Sequence, residues 1–128
     1  MSTRAIIATP HAGGYYTAWC WNDGGPQNLG RELRKYHTTI GSVIDLITAR
    51  SFSTLVGPRQ FQDIKHTITV DDRVRHLNNG RIMIVRPHQG KNVCGTEEYG
   101  WMPSIGSMLE EDVNYVYVFN GNGYDMYH

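Results

Sequence analysis

The sequence predicts one α+β domain spanning residues 1–128, in which an antiparallel sheet of hairpins has two or three short helices on one face. The chain has 128 residues, the usual size of a single domain with its own core. Short runs of β-branched and aromatic residues alternate with turn signals, which predicts hairpins. Short segments with helical spacing lie between these runs, and hairpins interleaved with short helices are typical of antiparallel sheets.

The N-terminal part predicts one hairpin and two helices. Residues 3–9 and 15–21 are the two strand runs, and Gly13-Gly14 is the expected turn between them. Residues 22–28 are rich in Asn and Gly and predict a loop. Asn28 is a candidate N-cap for a helix that reaches Tyr36, and Ser42 is expected to open a second helix.

The remaining elements give the order ββ-αα-ββ-α-ββ. Residues 51–64 predict at most a short helical turn, and residues 72–86 predict a second hairpin with Asn79-Gly80 as its turn. A loop is expected over 87–100. Ser107 with Glu110 resembles the capping box of a short helix, and strands are expected over 113–119 and 124–127. An uncovered edge of such a sheet often becomes a dimer interface, so a homo-oligomer is expected.

Composition excludes several classes of protein. The formal net charge is zero, which argues against general nucleic-acid binding, because such proteins need excess cations to displace counterions from phosphates. No run approaches the roughly 20 apolar residues of a membrane span, and no signal peptide is evident, so the cytosol is expected. Cys20 and Cys94 should then be reduced. The histidines lack metal-binding spacing and no phosphate-cradling glycine loop is present, so neither metal nor cofactor is expected.

Arginine is the unusual feature of the charged residues, since nine of the twelve cationic side chains are Arg. With an Asn79-Gly80 turn, Arg73 would face Arg86, and Arg75 would lie on the same face. Such a patch needs carboxylates or a bound anion, because facing like charges destabilise a sheet. The pattern therefore predicts an anion site, with neutralisation by Asp71, Asp72, Glu97 or Glu98 as the alternative.

Two further groups complete the predicted ligand-binding set. A Gly13-Gly14 turn would place Arg4 opposite Asp23. Arg4, Trp19 and Trp21 then form a candidate site, and an Arg4–Asp23 ion pair that fastens the loop to the sheet is the alternative. Tyr99 and Trp101 lie in a Gly-flanked segment and are expected to cover a base by stacking.

Enzymatic interpretations have weaker support, and no catalytic residue is assigned. The elements His37-Thr38-Thr39 and His66-Thr67-Ile68 resemble the paired His-x-Thr/Ser elements of two-histidine phosphoesterases, in which one histidine is the base and the other the acid. Cys20 lies between two Trp residues, a setting typical of a buried thiol and not of a nucleophile.

The chain resembles a group of small bacteriophage proteins with an M-x-T-R start, a W-D-G-like loop and a Tyr-rich C-terminal strand. The matching residues are Met1-Ser2-Thr3-Arg4, Trp21-Asn22-Asp23-Gly24 and Tyr115-Val116-Tyr117-Val118-Phe119. The resemblance covers about the first 50 residues and the last 20. It implies a phage origin and the cytosol of a host cell, and phage proteins of this size often bind host factors or host immune signals.

These observations together lead to a functional hypothesis. The protein is expected to sequester an anionic, nucleotide-derived signal of host antiviral defence, with phosphates on Arg73, Arg75 and Arg86. Two alternatives remain open. One is a protein–protein inhibitor of a host factor that uses a Tyr-rich strand or an aromatic loop, and the other is a nucleotide phosphodiesterase.

Overall fold

The structure is a computed structural model that describes residues 3–86 and 100–128. These residues form two sheets with packed helices, which confirms the predicted α+β class. Within them the strands are β1 (Ala5–His11), β2 (Gly14–Cys20), β3 (Ser51–Phe52), β4 (Thr54–Val56), β5 (Arg73–His76), β6 (Ile82–Val85), β7 (Trp101–Met102), β8 (Tyr115–Phe119) and β9 (Tyr124–Tyr127). The larger sheet has the order β3-β2-β1-β8-β9, with β7 paired to β2, and the smaller has the order β4-β6-β5.

The helices are short, and two begin with a capping box. They are α1 (Arg31–Tyr36), α2 (Ile40–Ile47), α3 (Pro58–Ile64) and α4 (Ile105–Leu109). A π-helical turn, Pro26–Gly30, leads into α1, and a 3-10 turn, Lys65–Thr67, follows α3. Thr39 caps α2 and Ser104 caps α4, each reciprocally with the serine three residues later. Ser42 and Ser107, which the sequence predicts as the helix starts, are therefore the third residues of their helices and the second partners of the two capping boxes.

None of the helices within residues 3–86 and 100–128 has the length and apolar character needed to cross a membrane.

The larger sheet is buried on both faces. Successive side chains of a strand point to opposite faces, so Ala5 and Ile7 enter one core while Ile6 and Ala8 enter the other. The π turn, α1, α2 and the smaller sheet cover the first core, and α4 with β7 covers the second. The predicted helices α1 and α2 therefore lie on one face, together with the π turn, and the third predicted helix, α4, lies on the opposite face.

The first hairpin turns one residue earlier than predicted. The two turn residues are Ala12 and Gly13. Their φ values of 52° and 78° are both positive, as the central residues of a type I′ turn require. Ile6 therefore pairs with Trp19 and not with Trp21. The pairing has slipped by two residues, which keeps every side chain on its predicted face.

The second hairpin has a three-residue loop, and the predicted two-residue turn is wrong. The amide of Leu77 donates to the carbonyl of Arg81, and Gly80 takes a φ of 88°, the left-handed residue of this loop type. Arg73 consequently pairs with Val85 and not with Arg86. A slip of one residue moves the side chains of one strand to the opposite face relative to its partner strand. Arg73 and Arg75 therefore no longer share a face with Arg86.

Candidate functional site

The predicted arginine patch on the second hairpin is not formed. The Arg75 guanidinium donates to the Asp45 carboxylate at 2.8 Å and to the Thr48 hydroxyl at 3.2 Å, both at α2. Arg75 also pairs with Met83, whose side chain is in the first core. Arg75 therefore ties the smaller sheet to α2 and is already neutralised by a carboxylate.

Arg86 is held on the opposite side of the smaller sheet. Its Nε lies 3.3 Å from the Asp72 carboxylate, and its Nη2 donates to the Thr67 hydroxyl after α3. Arg73 is exposed and makes no ion pair within the part of the chain that the structure describes. The prediction that Arg73, Arg75 and Arg86 converge on one anion is therefore wrong.

The first hairpin does not assemble the predicted site either. Arg4 forms an ion pair with Asp112 at 2.8 Å, so the expected Arg4–Asp23 contact is wrong. Trp21 is only 4% exposed and packs in the second core beside Trp19. Burial removes Trp21 from the surface that a ligand could reach.

Trp101 lies on the surface but has a structural contact. Its indole N–H donates to the carbonyl of His11 at 2.9 Å, and its ring lies so close to Gly14 that a Cβ there would overlap the indole. The residue is 40% exposed, so its predicted contact with a ligand stays a prediction. Tyr99 lies outside the described residues, as do Cys94 and the acidic Glu97 and Glu98.

Two residues of the enzymatic interpretations, His37 and Cys20, are buried and hydrogen-bonded, whereas His66 is exposed. His37 has no exposed surface, and its ring nitrogens contact Glu32 at 3.0 Å and Asn79 at 3.2 Å. Neither nitrogen is available to a phosphodiester. The Cys20 thiol donates to the carbonyl of Asn22, and burial raises the pKa of this thiol to about 12, so the reactive thiolate is disfavoured.

The structure instead places a polar cleft beside α1, which the sequence does not predict. Its volume is about 270 Å³, and it lies between the π turn with α1 on one side and β4 with the start of α3 on the other. Most of its lining side chains carry amide, carboxylate or cationic groups. These are Asn22, Asp23, Gln27, Asn28, Arg31, Glu32, Lys35, Gln60 and Arg81, and Tyr36 adds an aromatic ring.

A rigid ion pair forms the floor of the polar cleft. The Arg81 guanidinium donates from Nε and Nη2 to the two oxygens of Glu32, at 2.8 and 2.7 Å. This two-point geometry fixes both side chains. The same guanidinium lies 3.7 Å from the centre of the Tyr36 ring, in a cation–π contact. Gly57 packs against it, since a Cβ there would be 2.5 Å from Nη1.

Buried polar groups behind the floor hold Glu32 in place. Asn79 donates to His37 Nδ1, and the opposite ring nitrogen, Nε2, then carries the proton that bonds to Glu32. The carbonyl of His37 accepts a bond from the Tyr124 hydroxyl at 2.8 Å. Burial raises the pKa of Glu32, but hydrogen bonds from His37 and Arg81 outweigh it, so this pKa lies below its ordinary value. Glu32 is therefore an ionised structural anchor.

Two exposed cations stand on the wall of the polar cleft. Arg31 and Lys35 are one helical turn apart on α1, so their side chains share one face. Within residues 3–86 and 100–128 neither forms an ion pair. The Lys35 ammonium lies 5.2 Å from the centre of the Tyr36 ring. The arrangement offers positive charge, an aromatic edge and several amides to one small molecule. A spacing of four between Arg31 and Lys35 is visible in the sequence, but nothing local in the sequence shows that Arg81 comes to meet them.

The part of the chain that the structure describes holds no group of His, Cys, Asp or Glu side chains that could bind a metal ion. No protein-family model matches the sequence, and neither a curated protein nor a solved structure shows significant similarity to it.

Proposed function

We propose that this protein binds a small anionic, nucleotide-like molecule in the polar cleft and holds it without chemical change. The observation that carries the proposal is the pair of exposed cations, Arg31 and Lys35, which have no ion-pair partner among the described residues. They line the polar cleft together with the Tyr36 ring and several amide side chains. Small-molecule sites are concave and combine a few directed polar groups with aromatic surface. A phosphate between the two cations would supply the countercharge that no described residue gives them.

The floor of the polar cleft favours binding over catalysis. Glu32 accepts hydrogen bonds from both Arg81 and His37, so it is a poor general base. The Cys20 thiol is buried, and its raised pKa makes it a poor nucleophile. Both groups support the walls of a preformed site, which lowers the entropy that a ligand must lose on binding.

The biological role within this proposal is sequestration of a nucleotide-derived signal of host antiviral defence in the host cytosol. This part is supported by the resemblance to small phage proteins and not by geometry. A sequestering protein needs tight binding and slow release, and a rigid floor of paired charges suits that need.

Calorimetric titration with cyclic nucleotides tests the proposal. Arg31→Ala and Lys35→Ala should each weaken binding about tenfold or more, since a hydrogen bond between charged groups contributes roughly 1.5–3 kcal/mol. Arg73→Ala is the matched control, because Arg73 is also exposed and lies outside the lining of the cleft. Heat denaturation of the complex should release intact nucleotide.

Two results would count against the proposal. Unchanged binding in both α1 variants would remove the cleft as the site. Cleaved nucleotide after denaturation would favour the phosphodiesterase alternative and would show that the protein is not a passive binder.

The edge strand β9 favours a second candidate function, in which the protein adds a strand from a partner. Within the described residues β9 pairs only with β8, and its Met126 is 40% exposed. An edge strand is a template for pairing with a second copy, giving the expected homo-oligomer, or with a host protein to be inhibited. Light scattering should show a dimer that Met126→Pro converts to a monomer, because proline removes a backbone donor. A wild-type monomer would leave only the host protein as the partner of this edge.

A further inference from the structure

A second cavity adjoins the polar cleft on the side of α3. Its volume is about 360 Å³, and it shares Tyr36, Gln60 and Arg81 with the polar cleft. Its other lining residues come from the start and middle of α3 and the residue before it: Gly57, Pro58, Arg59 and Asp63. The stacked pair of Tyr36 and Arg81 therefore borders both cavities, and one ligand that crosses this pair could occupy both.

The Nη1 nitrogen of Arg81, which carries two N–H groups, is left to donate into this second cavity. Nε and Nη2 are bound to Glu32, and within the described residues Nη1 donates to no acceptor. Nη1 faces Gly57, which lines the second cavity. The side chain as a whole is only 14% exposed, and its two hydrogen bonds to Glu32 fix the direction of Nη1. A preorganised, unpaired guanidinium N–H is a strong donor to an oxyanion.

Arg59 brings a second cation to the same place. It is exposed on the first turn of α3 and forms no ion pair within residues 3–86 and 100–128. Asp63, one helical turn later, is the acidic side chain among the described lining residues. Glu32 balances the charge of Arg81, so the cavity favours an anionic group through the unpaired donors of Arg59 and Arg81 Nη1 and not through an excess of positive charge.

We infer that the ligand carries two separate anionic groups, one held by Arg31 and Lys35 in the polar cleft and one held by Arg59 and Arg81 Nη1 in the cavity beside α3. This inference rests on the proposed function and narrows it to a ligand class. Nucleoside 3′,5′-bisphosphates and cyclic dinucleotides belong to this class, because a ribose separates their two phosphates. A nucleoside 5′-monophosphate fills only one of the two subsites.

Titration calorimetry of the full chain with these three probes tests the inference. We expect a bisphosphate or a cyclic dinucleotide to bind about tenfold or more tightly than the matching monophosphate, as one additional charge-assisted contact would give. Arg59→Ala should abolish this preference while leaving the monophosphate affinity unchanged. Arg81 is left intact, because its removal would also unpair Glu32.

Asp63→Asn gives a test that depends on the sign of the bound charge. If an anion occupies the cavity beside α3, removing the carboxylate should tighten the binding of the two-phosphate probes several-fold and leave the monophosphate unaffected. Weaker binding in Asp63→Asn, or equal affinity of wild type for one-phosphate and two-phosphate probes, overturns the inference and leaves the proposed function intact. Failure of every probe to bind overturns both.

Discussion

The substitution Gly57→Ala tests how firmly the floor of the polar cleft is fixed. A Cβ on Gly57 would lie 2.5 Å from Nη1 and 3.2 Å from Cζ of Arg81, so the guanidinium would have to move. An exposed arginine could move at little cost. Here Arg81 makes two hydrogen bonds to Glu32 and stacks on Tyr36, and all of these contacts would be lost or distorted.

The expected cost follows from the burial of the ion pair. The side chains of Arg81 and Glu32 are 14% and 10% exposed. Removing one partner of a fully buried pair costs roughly 3–5 kcal/mol, and remaining solvent contact lowers this figure. Glu32 would also keep its hydrogen bond to His37. We therefore expect Gly57→Ala to lower the free energy of unfolding by about 2–3 kcal/mol.

A double-mutant cycle measured by urea denaturation separates this effect from a local one. Gly57 is the N-cap of α3, where alanine is intrinsically worse than glycine. Gly25 is the matched control, because it also caps a helical turn before a proline, has a similar φ and ψ, and would place an added Cβ more than 4 Å from any neighbouring atom. In an Arg81→Ala background Gly57→Ala should cost no more than Gly25→Ala. An equal cost of Gly57→Ala with and without Arg81 would refute the reasoning.

Three further predictions concern the charge, the turn and the thiol. Folding lowers the pKa of Glu32, so the ionised carboxylate stabilises the fold above pH 4.5, its ordinary pKa, and this stabilisation is lost as the pH falls through the lower, folded pKa. The difference in free energy of unfolding between wild type and Glu32→Gln should therefore narrow as the pH is lowered in a series of denaturation experiments. A difference that stays constant with pH would contradict this. Ala12 has a φ of 52°, so Ala12→Gly should raise the free energy of unfolding by about 0.5–1 kcal/mol, which thermal melting can check. In a Cys94→Ser variant, Cys20 should react with a disulfide reagent at least about a hundredfold faster in denaturant than in the native state, and equal rates would show that the thiol is accessible.

Local signals predict the elements of this fold better than their pairing. The strands and helices are predictable because β-branched runs, capping residues and glycine turns act within a few residues. The capping signals at Ser42 and Ser107 point one helical turn too late, because both members of each capping box are serine or threonine. The parallel pairing of β1 with β8 joins the two ends of the chain, and no local pattern in the sequence contains it.

The prediction of the anion site is wrong because the loop of the second hairpin is one residue longer than the predicted two-residue turn. The pair Asn79-Gly80 is compatible with a two-residue turn and with the end of a three-residue loop, because Gly80 takes a positive φ in both. The choice depends on tertiary contacts, and Asn79 donates to the carbonyl of Tyr36 and to His37. Those contacts lie more than 40 residues away in the sequence, so they could not enter a local prediction.

Ion pairs between distant elements account for part of the arginine content. Arg75 ties β5 to α2, Arg81 ties the second hairpin to α1, and Arg4 ties the start of β1 to the segment before β8. With short helices and strands, such ion pairs add contacts that local hydrogen bonding does not supply. A paired arginine can bind a ligand only through a donor that its partner leaves unused, as Nη1 of Arg81 does, so arginine content alone overestimates the capacity of this chain to bind anions.

The cations that matter for a ligand are those that the fold leaves unpaired at a concave surface. Arg31, Lys35 and Arg59 meet that condition within the described residues, and all three line the two cavities that meet at Tyr36 and Arg81. Arg73 likewise has no ion pair among those residues but lies outside both linings, which makes it the side chain that separates a general electrostatic attraction from a built site. If charge alone drew a nucleotide to this protein, Arg73→Ala would weaken binding as much as Arg31→Ala. A geometric site requires the two variants to differ.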